Sequence, residues 1–151
     1  QLMVELGLVY PGRPAQPKML HNESHKFESI FLNVDVLPNN SVMLKSLSGM
    51  KLGVWVAHGE GKFSLPQEES AYCIPMKYSN TGYPGNPNGS DYHTAGLCSE
   101  DGRHLVMMPH LERAFKPYHW PYYPQERKFD EVAPWIEAFV NAKKWIEKKT
   151  K

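Results

Sequence analysis

From Phe27 to Val36 the chain alternates strictly. Glu28, Ile30, Leu32, Val34 and Val36 fall on one side, and Phe27, Ser29, Phe31, Asn33 and Asp35 on the other. A period of two predicts a strand with one face in a core, ended here by Pro38. "KLGVWVAHGEGKF", from Lys51, reads as a second strand, broken at Gly59 and Gly61, and "SAYCIPMKYS" as a third. "HTAGLCS" and "RHLVMMP" flank the turn "EDG" and predict a hairpin of two core strands.

Helical spacing is confined to three places. "QLMVELGLVYPG" sets Leu2, Met3, Leu6 and Val9 on one face and stops at Gly7 or Pro11. "SVMLKSL" predicts a short helix with Ser41 as its N-cap. The last helix is predicted from about Asp130 to Lys148, with Val132, Trp135, Ile136, Phe139 and Ile146 on its apolar side. Residues 79–91, "SNTGYPGNPNGSD", predict a loop, and "KPYHWPYYPQER" predicts an extended segment lying on the surface of the domain. Strands with helices before, between and after them define an α/β layer structure of one domain, 1–151, without internal repeats.

Charge adds little direction. Lys+Arg is 17 and Asp+Glu 16, a net charge of +1, so no global field points to nucleic acid or to an anionic membrane. The basic tail "KKWIEKKTK" reads as a solvated helix end. No apolar run is long enough to span a bilayer. Cys73 and Cys98 do not form a CxxC pair, and two cysteines are too few for a disulfide scaffold. A reducing, cytoplasmic setting is therefore expected, with both thiols as small buried hydrophobes.

The candidate chemistry lies in "DGRHLVMMPHLERAF", where His110 and Glu112 follow an apolar run ending at Pro109. An imidazole hydrogen-bonded to a carboxylate is fixed in tautomer and orientation and can take a proton from a nucleophile and pass it to a leaving group. Taken alone, the pair reads first as a structural cap or ion pair, since a carboxylate in a first helical turn is favoured by the dipole, and only further motifs can reverse that. No nucleophile is evident: neither cysteine has a glycine-rich elbow around it. "HNESH" has His21 and His25 at i, i+4, but its loop-like composition makes these exposed polar residues rather than metal ligands. "HGEG" (58–61) and "NPNGS" (86–90) read individually as turns, and no GK[ST] follows to make a phosphate loop.

Together and in this order, "VAHGEG", "NPNGS" and "AGLCSEDGRHLVMMPHLER" resemble one family of class I, triad-type glutamine amidotransferases: the C-terminal glutaminase domains of phosphoribosylformylglycinamidine synthases, in their large single-chain form. The resemblance runs from Gln1 to about Pro124. It implies a flavodoxin-like domain with a central sheet and flanking helices. It also implies a Cys-His-Glu triad with His110 as general acid/base and Glu112 as its orienting partner, and a glutamine pocket to which Gln1, His58 and Asn88 contribute. The family's nucleophile sits in a C-x-G-x-Q elbow. Gln1 aligns with its last residue, so the chain is expected to be a piece of a longer polypeptide that lacks the first strands and the elbow, and to be inactive alone. The implied partners are glutamine and a synthetase domain of the same polypeptide, which uses ATP and Mg; no cofactor is expected in this segment. One departure is Leu111, where the family has proline, which should loosen the turn modestly without removing the pair. A second reading keeps the His-Glu pair purely structural and makes Trp120, Tyr122 and Tyr123 the anchors of a non-catalytic module that docks on a partner domain.

Overall fold

The structure, a computed structural model, describes residues 1–149; the last two positions of the basic tail lie outside them. Five strands form the central sheet: β2 (Glu28–Val36), β3 (Lys51–His58), β5 (Cys73–Tyr78), β6 (Thr94–Cys98) and β7 (Leu105–Met107), in the order β3-β2-β5-β6-β7. Every pairing is antiparallel. A two-stranded ribbon, β1 (Lys18–Leu20) with β4 (Lys62–Ser64), stands beside it. The helices that flank the sheet are α1 (Leu2–Glu5) and α2 (Ile136–Lys149).

The alternation along β2 survives folding: Leu32, Val34 and Val36 are buried and Asn33 is exposed. On β3 the same face carries Leu52, Val54, Val56 and then His58, all buried. These stripes build one apolar cluster with Met76, Tyr78, Ala95 and Trp135. A second cluster gathers Val4, Val9, Tyr10, Phe63, Ile74, Leu97 and Val106 under α1 and the ribbon. The "EDG" hairpin forms between β6 and β7 as the pattern indicated.

The sheet curls back on itself. After β7, the Met108 amide donates to Ala95 O on β6 (3.1 Å), and two residues later the His110 amide donates to Trp55 O on β3 (2.8 Å). The segment 108–110 thus spans the two ends of the sheet.

Each predicted helix is corrected. α1 ends at Glu5 with Leu6 as its C-cap, at the first of its two expected stops, because Gly7 takes φ 64°, and Leu8 N–H and Gly7 N–H return to Met3 O and Val4 O, the paired bonds of a glycine-terminated helix. The buried side chains are therefore Val4 and Val9, while Leu2 and Leu6 of the expected face are exposed. Residues 41–47 form a 3-10 turn at Lys45–Leu47 that no side chain caps; Ser41 is buried and does not act as an N-cap. The last helix starts at Ile136, not near Asp130, because the residue before Pro134 is disfavoured in the helical region. Ala138 is its buried residue, beside the buried Trp135 that precedes it, with Asn141 Nδ2 donating to Met43 O (3.0 Å) and Ser46 Oγ (2.6 Å). Val132, Phe139 and Ile146 of the predicted stripe are exposed.

The segment 116–127 lies on the surface as expected, but as two 3-10 turns (Pro117–His119 and Gln125–Arg127). Trp120 is turned inward: its ring packs against Phe31 (centroids 5.4 Å apart) and its Nε1 donates to Ala114 O (2.8 Å). Tyr123 Oη donates to Asp130 Oδ2 (2.9 Å), and Tyr122 is exposed.

Candidate active site

His110 stands where the chain leaves the sheet. Its backbone is extended (φ −103°, ψ 93°), and Leu111–Arg113 then form a 3-10 turn. Residues two apart in a helix do not face one another. The pair meets because His110 stays outside the turn while Glu112 is inside it: His110 Nδ1 lies 2.7 Å from Glu112 Oε1. With Nδ1–H donated to the carboxylate, Nε2 is left to exchange protons with a substrate. The imidazole is mostly buried and the carboxylate is more open, with Arg113 Nε 3.7 Å from the same oxygen.

Leu111 points the opposite way and is buried in the first cluster. As the first residue of the turn it occupies the place where proline is best tolerated, because an N–H there needs no partner within the turn. The leucine supplies a core contact instead, and the His110–Glu112 bond is intact.

His58 and Asn88 meet at Gly61, where a Cβ would collide with the His58 ring and the Asn88 amide. Asn88 is fully buried; its Nδ2 donates to Gly61 O (2.7 Å) and Tyr78 Oη (3.0 Å), so it clamps the "HGEG" turn rather than facing an open cleft. Gln1 reaches the same turn from outside, its Nε2 donating to Glu60 Oε2 (2.9 Å).

The His58 ring is buried, and burial pushes its pKa down to about 4, with the nearby His110 acting in the same direction and Glu28 opposing it. His58 is therefore neutral near pH 7. Neither of its ring nitrogens has a hydrogen-bond partner among the described residues, nor do Glu28 Oε1 and Asn88 Oδ1. Glu28 is the cross-strand partner of His58 in the β2–β3 register.

Two contributors were not singled out from the sequence. Asn22, in the segment read as exposed, is fully buried: its Nδ2 donates to His58 O (2.6 Å) and Lys26 O (2.8 Å), and its Oδ1 accepts from Gly61 N–H (3.0 Å). Its neighbours His21 and His25 are exposed. Glu28 carried a legible signal, since the alternation sets it on the apolar face of β2.

An open cleft of about 640 Å³ lies beside this region, lined among others by Glu23, Lys26, Tyr83, Asn86 and Ser90. The His110–Glu112 pair does not line it. Among the described residues, no group of three or more His, Cys, Asp or Glu is arranged to hold a metal ion, and no helix is long and apolar enough to cross a membrane.

The curled sheet carries the carboxylate-bound histidine at its seam, and residues 1–146 match the CobB/CobQ-like glutamine amidotransferase domain, a family to which the chain belongs. Within that family it is similar to the phosphoribosylformylglycinamidine synthases of Dictyostelium discoideum (40% identical over 167 residues, 97% of this chain) and Homo sapiens (41% over 148 residues, 89% of this chain). The chain spans only 12% and 11% of those two proteins. It also superposes on a chain in the structure of PurLQS from Thermotoga maritima, with a TM-score of 0.68 and 22% identity, covering 97% of this chain and 57% of that one. At that identity the likeness is one of fold.

Proposed function

We propose that this chain carries the acid/base part of the glutaminase domain of a phosphoribosylformylglycinamidine synthase, a cytoplasmic enzyme of purine biosynthesis. The observation that carries the reading is the 2.7 Å bond between His110 Nδ1 and Glu112 Oε1. Family membership and the names of the relatives support it.

In this reading a cysteine thiolate from an elbow preceding Gln1 attacks the side-chain amide carbon of glutamine. As the C–N bond breaks, His110 delivers a proton to the departing nitrogen, which would otherwise be a very poor leaving group. Glu112 holds the ring in the tautomer that leaves Nε2 toward the substrate and stabilises the imidazolium. His110 then takes a proton from the water that hydrolyses the glutamyl thioester. Neither cysteine in the chain opens a C-x-G-x-Q elbow: Cys73 is followed by "IPMK" and Cys98 by "SEDG". Ammonia passes to a synthetase domain of the same polypeptide. There ATP, with Mg, activates the formyl amide oxygen of formylglycinamide ribonucleotide, and ammonia displaces it to give the amidine. Gln1 and His58, at the "HGEG" turn, border the glutamine site, with Asn88 behind them.

In the longer polypeptide, His110→Ala should abolish glutamine-dependent amidine formation and leave the ammonia-dependent reaction intact. Loss of both would mean that the histidine serves the fold and would remove the reading.

A further inference from the structure

We propose that Cys73 and Cys98 form a modification site, a thiol pair that a hydroperoxide converts into a reversible cross-strand disulfide. The site is independent of the glutaminase reading.

The two cysteines are directly opposed in the β5–β6 register. Directly opposed residues of antiparallel strands project to the same face, with Cα atoms about 4.5–5.5 Å apart. That falls within the roughly 4.4–6.8 Å that a disulfide spans. The Cys73 amide donates to Tyr10 Oη (3.2 Å), which ties the start of β5 to the segment after α1. Immediately after Cys73 the register slips before Met76, with Pro75 in between, so β5 is irregular where a new bond would need adjustment.

The two environments are unequal, which separates an attacking thiol from a resolving one. Cys73 is half-buried, and its Sγ lies 3.2 Å from Asn40 Oδ1 at the surface. Cys98 is fully buried. The Cys98 thiol beside it brings the Cys73 pKa down to about 7, whereas the same contact and burial push Cys98 up. A substantial thiolate fraction on the accessible sulfur and a protonated thiol behind it are what a peroxide-sensing pair requires.

The chemistry balances in two steps. The Cys73 thiolate attacks one peroxide oxygen; the O–O bond breaks, Cys73 becomes a sulfenic acid, and the other oxygen leaves and is protonated to water or an alcohol. The Cys98 sulfur then attacks Cys73 Sγ. The S–S bond forms, the S–O bond breaks, and hydroxide departs with the Cys98 proton as water. The hydroperoxide is reduced by two electrons and the thiols are oxidised by two; two equivalents of a small thiol reductant then exchange with the S–S bond, restore both cysteine thiols and leave as their own disulfide.

The test is peptide mapping under non-reducing conditions after the protein is treated with hydrogen peroxide and remaining thiols are alkylated. The expected product is a Cys73–Cys98 linked peptide two hydrogens lighter than the sum of its parts, lost on treatment with dithiothreitol. Cys98→Ala should trap Cys73 as a sulfenic acid captured by dimedone, and Cys73→Ser should leave Cys98 unmodified. The wild-type map decides alone if either variant fails to fold. Both cysteines still alkylated after peroxide, Cys73 carried to sulfinic acid without a linked peptide, or Cys73 joined to a different cysteine would each overturn the proposal.

Discussion

The backbone of His110 is tied to the far edge of the sheet: its amide donates to Trp55 O at 2.8 Å, an isolated antiparallel bridge. Trp55 is in turn held from outside by its own Nε1, which donates to His119 O at 2.7 Å. The histidine therefore rests on β3 rather than on a free loop, and the closure of the sheet and the placement of the imidazole are one event.

That anchoring makes Glu112 a separable contributor. Glu112→Gln keeps the shape but offers the ring an amide that no longer stabilises the imidazolium. In the longer polypeptide, glutamine-dependent kcat should fall about 10²–10⁴-fold, with little change in ammonia-dependent turnover or in thermal midpoint. Unchanged glutaminase kinetics would leave the carboxylate as a surface ion pair.

Glutamate release from glutamine by residues 1–151 alone is expected to be at background. A measurable rate abolished by His110→Ala would require a nucleophile within this chain, contrary to the assignment.

His58 predicts a pH dependence of stability. Its folded pKa, about 4, lies below the unfolded value of about 6.5, so the unfolded chain binds the extra proton between these values. Its contribution is fully present above about pH 6.5 and is lost as the pH falls toward 4, an effect on the order of 2–3 kcal/mol. Urea denaturation from pH 7 to pH 4 should show a shallower decline for His58→Gln than for the native chain. Parallel curves would place the titrating group elsewhere.

Gly61 has no room for a side chain between the His58 ring and the Asn88 amide. Gly61→Ala should cost about 1–3 kcal/mol in urea unfolding. Gly59→Ala is the control: the nearest atom to its added Cβ is Phe27 Cδ2 at 4.0 Å, ordinary contact. Equal losses at the two glycines would argue against the packed turn.

Trp135 is wholly buried and its Nε1 donates to Gly53 O (2.8 Å), whereas Phe129 is 87% exposed. Trp135→Ala should lose about 3–5 kcal/mol, and Phe129→Ser should stay within about 0.5 kcal/mol. A comparable loss at Phe129 would mean that its exposed ring is covered by something else.

The local pattern determined much of this protein. A period of two named β2 and the face it buries, because strand side chains alternate whatever the strand pairs with, and the apolar run from Lys51 named β3. Glycines, prolines and the "EDG" turn marked where elements stop, and the spacing of His110 and Glu112 together with the surrounding motifs identified the family. The helices were less legible. Apolar spacing in "QLMVELGLVYPG" and in the last helix suggested faces that the fold buries only in part, at Val9 and Trp135, since burial depends on which neighbour arrives and not on periodicity alone. Tertiary structure alone decided the rest. Asn22 and Asn88 look like ordinary loop polars until the chain returns to "HGEG" and gives their amides backbone partners. Cys73 and Cys98, 25 positions apart, become neighbours only through strand register. Likewise, His110 finds its seat on Trp55 only when the two ends of the sheet meet, because a hydrogen bond between distant segments is set by their approach in space and leaves no mark on either segment by itself.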